Sequence, residues 1–245
     1  MLLKMISFKD LAKNRDKLPV LFISSIEQHG PYLPLGTDTL IAEALMERLE
    51  KQMEKKAIFL PVLPFGCSKE HAGFPGTISI EYSTYTLFIK DIIRSVFEAG
   101  FKKFVLISSH GGNNSVARLI QIDNNYGSKK KVELLMAFDD DTEEKCIELF
   151  SGSEMHAGSS ESSIIAALDS NNVEFVGIRS NSKFAPDQEG IFSSFSTKEI
   201  TCLGILNFSA KLEINPEKGE QLLEFVANNL SQKLNRLIER KSECG

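Results

Sequence analysis

The amino-acid sequence predicts an α/β fold in three layers: a mostly parallel central sheet flanked by helices on both faces. Two observations carry that expectation. Strand-like apolar runs alternate with segments of helical spacing from one end of the chain to the other, and such alternation implies parallel strands covered by helices. The chain has 245 residues, 42% of them hydrophobic, enough to bury a large core, and α/β domains of this size are often single. No repeat, linker or low-complexity stretch interrupts the pattern, so residues 1–245 are expected to form one domain.

Leu18 to Ser24 reads as a buried strand. Thr39 to Lys56 follows, with Leu40, Ala44, Leu45, Leu49 and Met53 on one helical stripe. Ala57 to Leu63 is the next strand. The spacing then predicts a helix over Tyr82 to Ala99, with Leu87, Ile89, Ile92, Ile93, Val96 and Phe97 inside and Gly100 as its stop. Lys103 to Ser109 is a third strand, Asn114 to Asn125 a helix, Lys131 to Phe138 a fourth strand and Thr142 to Phe150 a short helix. Glu161 to Leu168 is helical and leads to a strand near Val173 to Ile178. The last helix, Pro216 to Lys241, opens on proline and buries Leu222, Phe225, Val226, Leu230, Leu234 and Leu237. Arg179 to Thr201 lacks periodicity. It reads as a lid, an intersubunit loop, or a surface excursion packing its own Phe184, Phe192 and Phe195.

Composition narrows the function classes. The net charge is -5 and no basic run exceeds Lys129 to Lys131, which argues against nucleic acid as a main partner. Cys67, Cys146, Cys202 and Cys244 lie far apart without a C-x-x-C, as reduced thiols of a cytoplasmic protein do. The apolar start at Met1 soon meets Lys9 and Asp10, so neither a signal peptide nor a membrane span is expected. No G-x-G-x-x-G or P-loop suggests an organic cofactor.

All four histidines sit inside polar motifs beside glycine. Histidine is the side chain best suited to metal ligation and proton transfer at neutral pH, so this confinement points to one polyvalent metal site with its acid–base machinery. The first motif runs from Ile26 to Thr39 and follows the first strand, at the end where open α/β sheets bind ligands. Glu27 and His29 are two apart, a spacing that puts both on one face of an extended backbone. Gly30, Pro31, Pro34 and Gly36 bend the chain back, and Asp38 arrives just before a helix. Alone, Asp38 would read as an N-cap; with Glu27 and His29 so near, it reads as a third ligand. Ser109-His110-Gly111-Gly112-Asn113-Asn114 follows the third strand. Its small residues allow close backbone approach and the helix start behind it favours an anion, which makes Gly111, Gly112 and Asn113 candidate substrate contacts. A capped turn around a structural histidine is the equal alternative. His156 lies in a loop, five residues before Glu161 at the start of an apolar helix. Glu161 is either a first-turn carboxylate answering the helix dipole or a further hard ligand beside a proton-transfer group. Glu70 and His71, in Lys69-Glu70-His71-Ala72-Gly73, either touch substrate or stabilise their loop.

Together these motifs resemble the creatininase (creatinine amidohydrolase) family. The resemblance lies in Glu27-x-His29-Gly30-x-x-Leu33-Pro34-x-Gly36-Thr37-Asp38-Thr39, in His71-x-x-Phe74-Pro75-Gly76-Thr77, in His110-Gly111-Gly112-Asn113 and in His156-Ala157-Gly158-x-x-Glu161-x-Ser163, in the family's order. It implies a hydrolase with two divalent metal ions per subunit (Zn, Fe or Mn), cleaving a non-peptide C–N bond (amide, formamide or cyclic amide) of a small molecule by metal-bound hydroxide. Carried over, Glu27 and His110 hold one metal, His29 and Glu161 the other, and Asp38 bridges them. His156 is the acid–base group. Creatininase has a Glu two residues after the His110 equivalent, where this chain has Gly112, so Glu161 becomes the candidate for that carboxylate and joins the catalytic set. The family also implies a homo-oligomer, with residues 179–201 at or near a subunit contact.

Departures bear on the substrate. Creatininase uses tryptophan near its substrate and this chain has none, Gly152 standing at one such place. Creatinine is therefore a poor expectation, and the resemblance is drawn more toward the family's archaeal formamidopyrimidine-nucleotide deformylase. A peptide-trimming enzyme of cofactor maturation is an alternative from the same family. From other classes, a non-catalytic metal-binding scaffold of this fold and a di-iron redox enzyme on the same ligands are the rivals.

Overall fold

The computed structural model describes residues 1–151, 154–173, 196–207 and 212–240. Four parallel strands form its main sheet, in the order β2-β1-β3-β4: β1 (Leu18–Ile23), β2 (Ala57–Phe59), β3 (Lys103–Ser108) and β4 (Lys131–Met136). The central strands are apolar on both sides because both sides are covered. Val20 and Phe22 of β1, with Val105 and Ile107 of β3, pack toward α2 (Thr37–Met53), α6 (Ser159–Leu168) and α8 (Pro216–Glu239). Leu21, Ile23, Phe104 and Leu106 face α3 (Tyr82–Glu98) and α4 (Asn114–Asn125) on the other side. A short α1 (Phe8–Lys13) precedes β1, and α5 (Asp140–Phe150) follows β4. This is the three-layer α/β arrangement the alternation predicts: the chain goes from β1 to β2 at one edge, then crosses back past β1 to β3 and on to β4 at the other.

Several boundaries differ from the expectation. The second strand is regular only over Ala57–Phe59. Pro61 and Pro64 have no N–H to give a ladder, yet Leu60 and Leu63 still donate to the Val20 and Phe22 carbonyls at 2.8 and 3.0 Å. Leu87 is not inside: it is 66% exposed, on the outer face of α3. His156 is not in a loop but ends a short strand, β5 (Glu154–His156), paired antiparallel with β6 (Leu206–Asn207). Strands of two or three residues carry no readable period. The expected strand to Ile178 and the segment from Arg179 lie largely outside the described residues, with Phe184, Phe192 and Phe195. The end of that segment is described. Thr197–Ile200 forms a short helix, α7, closed by a Ser196/Glu199 capping box.

Among the described residues no helix is long and apolar enough to cross a membrane. Cys67, Cys146 and Cys202 are free thiols.

Candidate functional site

Three segments at the carboxyl ends of β1 and β3 and at β5 deliver the polar cluster. After β1 the chain folds back on itself, Glu27 N–H donating to the Leu35 carbonyl at 2.9 Å. Glu27 and His29 both point into the fold and are 1% and 0% exposed. His29 Nδ1–H donates to the Glu27 carbonyl at 3.2 Å, which turns Nε2 toward Asp38 Oδ1 at 3.4 Å and Glu161 Oε2 at 3.9 Å. Asp38 sits in the first turn of α2, but its carboxylate is no cap: Gly36 is the N-cap residue and no side chain caps that end. Asp38 Oδ2 instead accepts from Ser25 Oγ at 2.6 Å and lies 3.2 Å from His110 Nδ1. His110, one residue beyond a single-residue step from β3, donates from Nε2 to the Cys67 carbonyl at 2.8 Å. Glu161, in the first turn of α6, accepts from the Ala157 N–H at 2.6 Å, so the dipole and ligand readings of this residue are compatible.

These atoms form two groups sharing one residue. Glu27, Asp38 and His110 offer donor atoms within 4.8 Å of one another, and so do His29, Asp38 and Glu161. Glu27 Oε2 and His29 Nε2 are buried without a hydrogen-bond partner, a costly state unless something positive satisfies them. Imidazoles and carboxylates without a thiolate suit Zn, Fe or Mn. The residues therefore fit a pair of divalent cations.

Protons balance this cluster in metal-free protein. At His29 burial alone acts downward, but Asp38, Glu161 and Glu27 outweigh it and raise the pKa to about 9. At His110 burial likewise acts downward, and Glu27, Asp38 and Glu70 raise it to about 10. Burial lifts Glu27 and Glu161 to about 7. Burial also opposes the Asp38 anion, yet His29 and His110 hold it well below the carboxylate range. A group whose pKa is raised by folding stabilises the fold below its unfolded value and loses that contribution as pH rises through the folded one. For the two histidines that window runs from 6.5 to about 9–10. Metal-free protein is thus expected to lose thermal stability across it, whereas metal-loaded protein, its ligands already deprotonated, is not. Calorimetry of both forms should show a Tm gap widening with pH; a constant gap would contradict this protonation scheme.

A second set of residues orders the first. His156 Nε2–H donates to the Gln28 carbonyl at 2.7 Å, leaving Nδ1 as the lone-pair nitrogen, 3.8 Å from Glu27 Oε1. Its ring lies between those of His29 and His71, at 4.2 and 4.1 Å between centroids. Burial and the neighbouring histidines push His156 and His71 well below 6.5. Gln28 was not singled out by sequence, since a lone Gln carries no pattern. Its Nε2 donates to the Gly204 carbonyl at 3.0 Å and lies 2.9 Å from His71 Nδ1, which Thr197 Oγ1 also meets at 2.9 Å. Glu154 is a second omission. It is half-buried and caps the α6 N-terminus, accepting from the Ser160 N–H at 2.7 Å and also from the Ser159 N–H.

The remaining sequence candidates divide. Glu70 and His71 come to the cluster: His71 Nε2 is 3.3 Å from Glu27 Oε1 and Glu70 Oε1 is 3.5 Å from His110 Nε2. With Glu27 they form a further group within 4.8 Å. Gly111 and Gly112 line the cavity beside the cluster, as Glu70 and His71 do. Asn113 does not line it. Its side chain is fully buried and its amide is spent on the Cys67 N–H at 2.9 Å and the Ser24 carbonyl at 3.0 Å, tying two loops together. The cavity has a volume of about 950 Å³.

Gly112 has no room for a side chain. A Cβ there would lie 2.1 Å from the Cys67 carbonyl oxygen, 2.2 Å from Glu70 Oε1 and 2.5 Å from His110 Nε2, while one on Gly111 meets nothing within 4 Å. Gly112→Ala is expected to displace His110 and weaken metal binding by about 10–100-fold, the usual scale for disturbing the support of a ligand. Gly111→Ala should bind metal as the native chain does. Equal affinities for both variants in a competition titration with a chelator would contradict the argument.

The chain is similar to known proteins in sequence and in fold. The creatininase family model (creatinine amidohydrolase) matches residues 3–234. A mycofactocin precursor peptide peptidase of Mycolicibacterium smegmatis is 39% identical over 95 residues, 37% of this chain and 38% of that protein. A creatinine amidohydrolase of Pseudomonas putida is 31% identical over 104 residues, 40% of this chain and 39% of that protein. The chain thus spans about two fifths of the length of these curated relatives. A crystal structure of creatinine amidohydrolase superposes with a TM-score of 0.82 at 21% identity, covering 98% of each chain. Similar creatininase structures include a Mn form and a mutant of Zn–Zn type, with TM-scores of 0.82 and 0.79. Matched over nearly its whole length and sharing the fold, the chain belongs to the creatininase family.

Proposed function

We propose that the protein is a metal-dependent amidohydrolase with two divalent ions, hydrolysing a C–N bond other than a peptide bond in a small molecule. The observation that carries this reading is Asp38, whose two oxygens face two different ligand groups, one with Glu27 and His110 and one with His29 and Glu161. Those groups would hold one ion each. When bound, the ions supply Lewis acidity and a nucleophilic water at neutral pH.

The chain's own residues supply the rest. His156 is neutral near pH 7, because burial and its histidine neighbours depress its pKa. Its Nδ1, left free by the Nε2 bond to Gln28, takes a proton as the water oxygen bonds to the amide carbon. It then gives that proton to the nitrogen as the C–N bond breaks, since an amide anion is a poor leaving group. The N–H groups of Gly111 and Gly112, residues that line the cavity ahead of α4, would receive negative charge developing on the amide oxygen. Gln28, His71 and Thr197 hold His156 and Glu27 in register.

A peptide-trimming reading has its own support. The cavity, about 950 Å³, is roomier than a small cyclic amide needs, and the mycofactocin precursor peptidase is among the relatives. Metal-reconstituted protein assayed against formamides, lactams and short peptides decides between them. Turnover of formamides or lactams above that of peptides is the expected result. Preference for peptides would replace it with the second reading, and full metal content without turnover of any would leave a metal-binding scaffold.

A further inference from the structure

We propose that the substrate carries an uncharged aliphatic or aromatic arm, held by an apolar wall that continues from the polar cluster. This rests on the amidohydrolase reading and adds to it what lies beyond the scissile bond. The cavity has two unlike ends. One end is the His and carboxylate cluster. The other is lined by Val116 and Leu119 of α4, Met136 and Phe138 at the end of β4, Ile147 of α5 and Met155 of β5. The order of these elements produces this. The same strand and helix that follow His110 carry the wall, so a molecule whose amide reaches the cluster projects its substituent between α4 and α5.

Two features make the wall a binding surface and not a leftover of the core. Leu119 is 60% exposed, Ile147 47% and Met155 36%, although all three border the same cavity. Large side chains left in water around a concave site are usually there for a ligand. The charged residues at this end are acidic: Glu143, in the first turn of α5, and Glu154, already bonded to the start of α6. Among the described lining residues there is no Lys or Arg. At the described wall a phosphate or carboxylate arm would meet carboxylates and apolar carbon. The described surface therefore disfavours an anionic arm, and its apolar carbon favours an uncharged one.

Alkyl hydroxamates test this without knowledge of the natural substrate, because the hydroxamate binds the metal end and the arm can be varied. Calorimetric titration of metal-loaded protein would compare acetohydroxamate, hexanohydroxamate, adipic acid monohydroxamate and 6-aminohexanohydroxamate. A fully buried methylene strengthens binding about fourfold. In this partly open cavity hexanohydroxamate is expected to bind at least about tenfold more tightly than acetohydroxamate. Adipic acid monohydroxamate should lose that gain and bind weakest of the long arms. The Leu119→Asp, Ile147→Asp double variant, at two exposed positions, should flatten the series. A flat series in native protein, or an acidic arm binding as tightly as the alkyl arm, overturns the inference. Metal content and acetohydroxamate affinity report separately on the amidohydrolase reading, so the two failures are told apart.

Discussion

Asp38→Asn is expected to abolish both paired metal binding and hydrolysis. The exchange keeps the shape of the side chain, so packing in the first turn of α2 is preserved and the fold should survive. What changes is the charge and one oxygen. Asp38 Oδ1 lies 3.4 Å from His29 Nε2 and Oδ2 lies 3.2 Å from His110 Nδ1, so each oxygen serves a different group. An amide offers one acceptor oxygen and a nitrogen that only donates, and it cannot serve both. The loss of charge acts in the same direction, since a bound cation pair in a buried site needs anions beside it. Metal analysis of the purified variant, beside native protein loaded in the same way, measures the effect. A full complement of two ions in Asp38→Asn would remove the bridging role of Asp38.

His156→Ala should behave differently: both ions stay and most turnover goes. A positioned general acid–base group contributes about 10²–10⁴-fold. His156 lies between two other imidazoles at the cavity wall, and its Nε2 is committed to the Gln28 carbonyl. The nitrogen available for chemistry is therefore Nδ1. Added imidazole should restore part of the activity by entering the space the ring leaves. The alternative is concrete, because Nδ1 also stands close enough to Glu27 and His29 for these three to form a ligand group. Lost metal in His156→Ala, with no rescue by imidazole, would make His156 a ligand and shift the proton transfer elsewhere.

Much of this was legible before any coordinates. Strand and helix positions follow from local periodicity: an apolar run such as Leu18 to Ile23 has one way to be buried in an α/β protein, and the stripes of α2 and α8 need only 3.6-residue spacing to be seen. The four histidine motifs were legible too, because turns at strand ends are written in neighbouring Gly, Pro and Asn residues. Errors arose where local pattern stops deciding. Leu87 fits the helical stripe of α3 but falls on its outer face. The β5–β6 pair joins segments about fifty residues apart and is too short for any period.

By itself, then, the sequence determined the α/β class, the main elements and the residue types of a candidate metal site. Tertiary structure alone decided which of those residues meet. Asp38 stands between His29 and His110 because α2 starts beneath the end of β1 while β3 lies beside it in the sheet. Asn113 sits within the same motif as Gly112, yet is consumed by loop-to-loop bonds. Glu70, from a separate loop, fills the space beside Gly112 that a side chain there would need. His156 owes its free nitrogen to the backbone of a residue 128 positions away. Chemical potential resides in a residue and its near neighbours, but ligand pairing, tautomer and room for a side chain are distances across the fold, and those are set by sheet register and crossover packing.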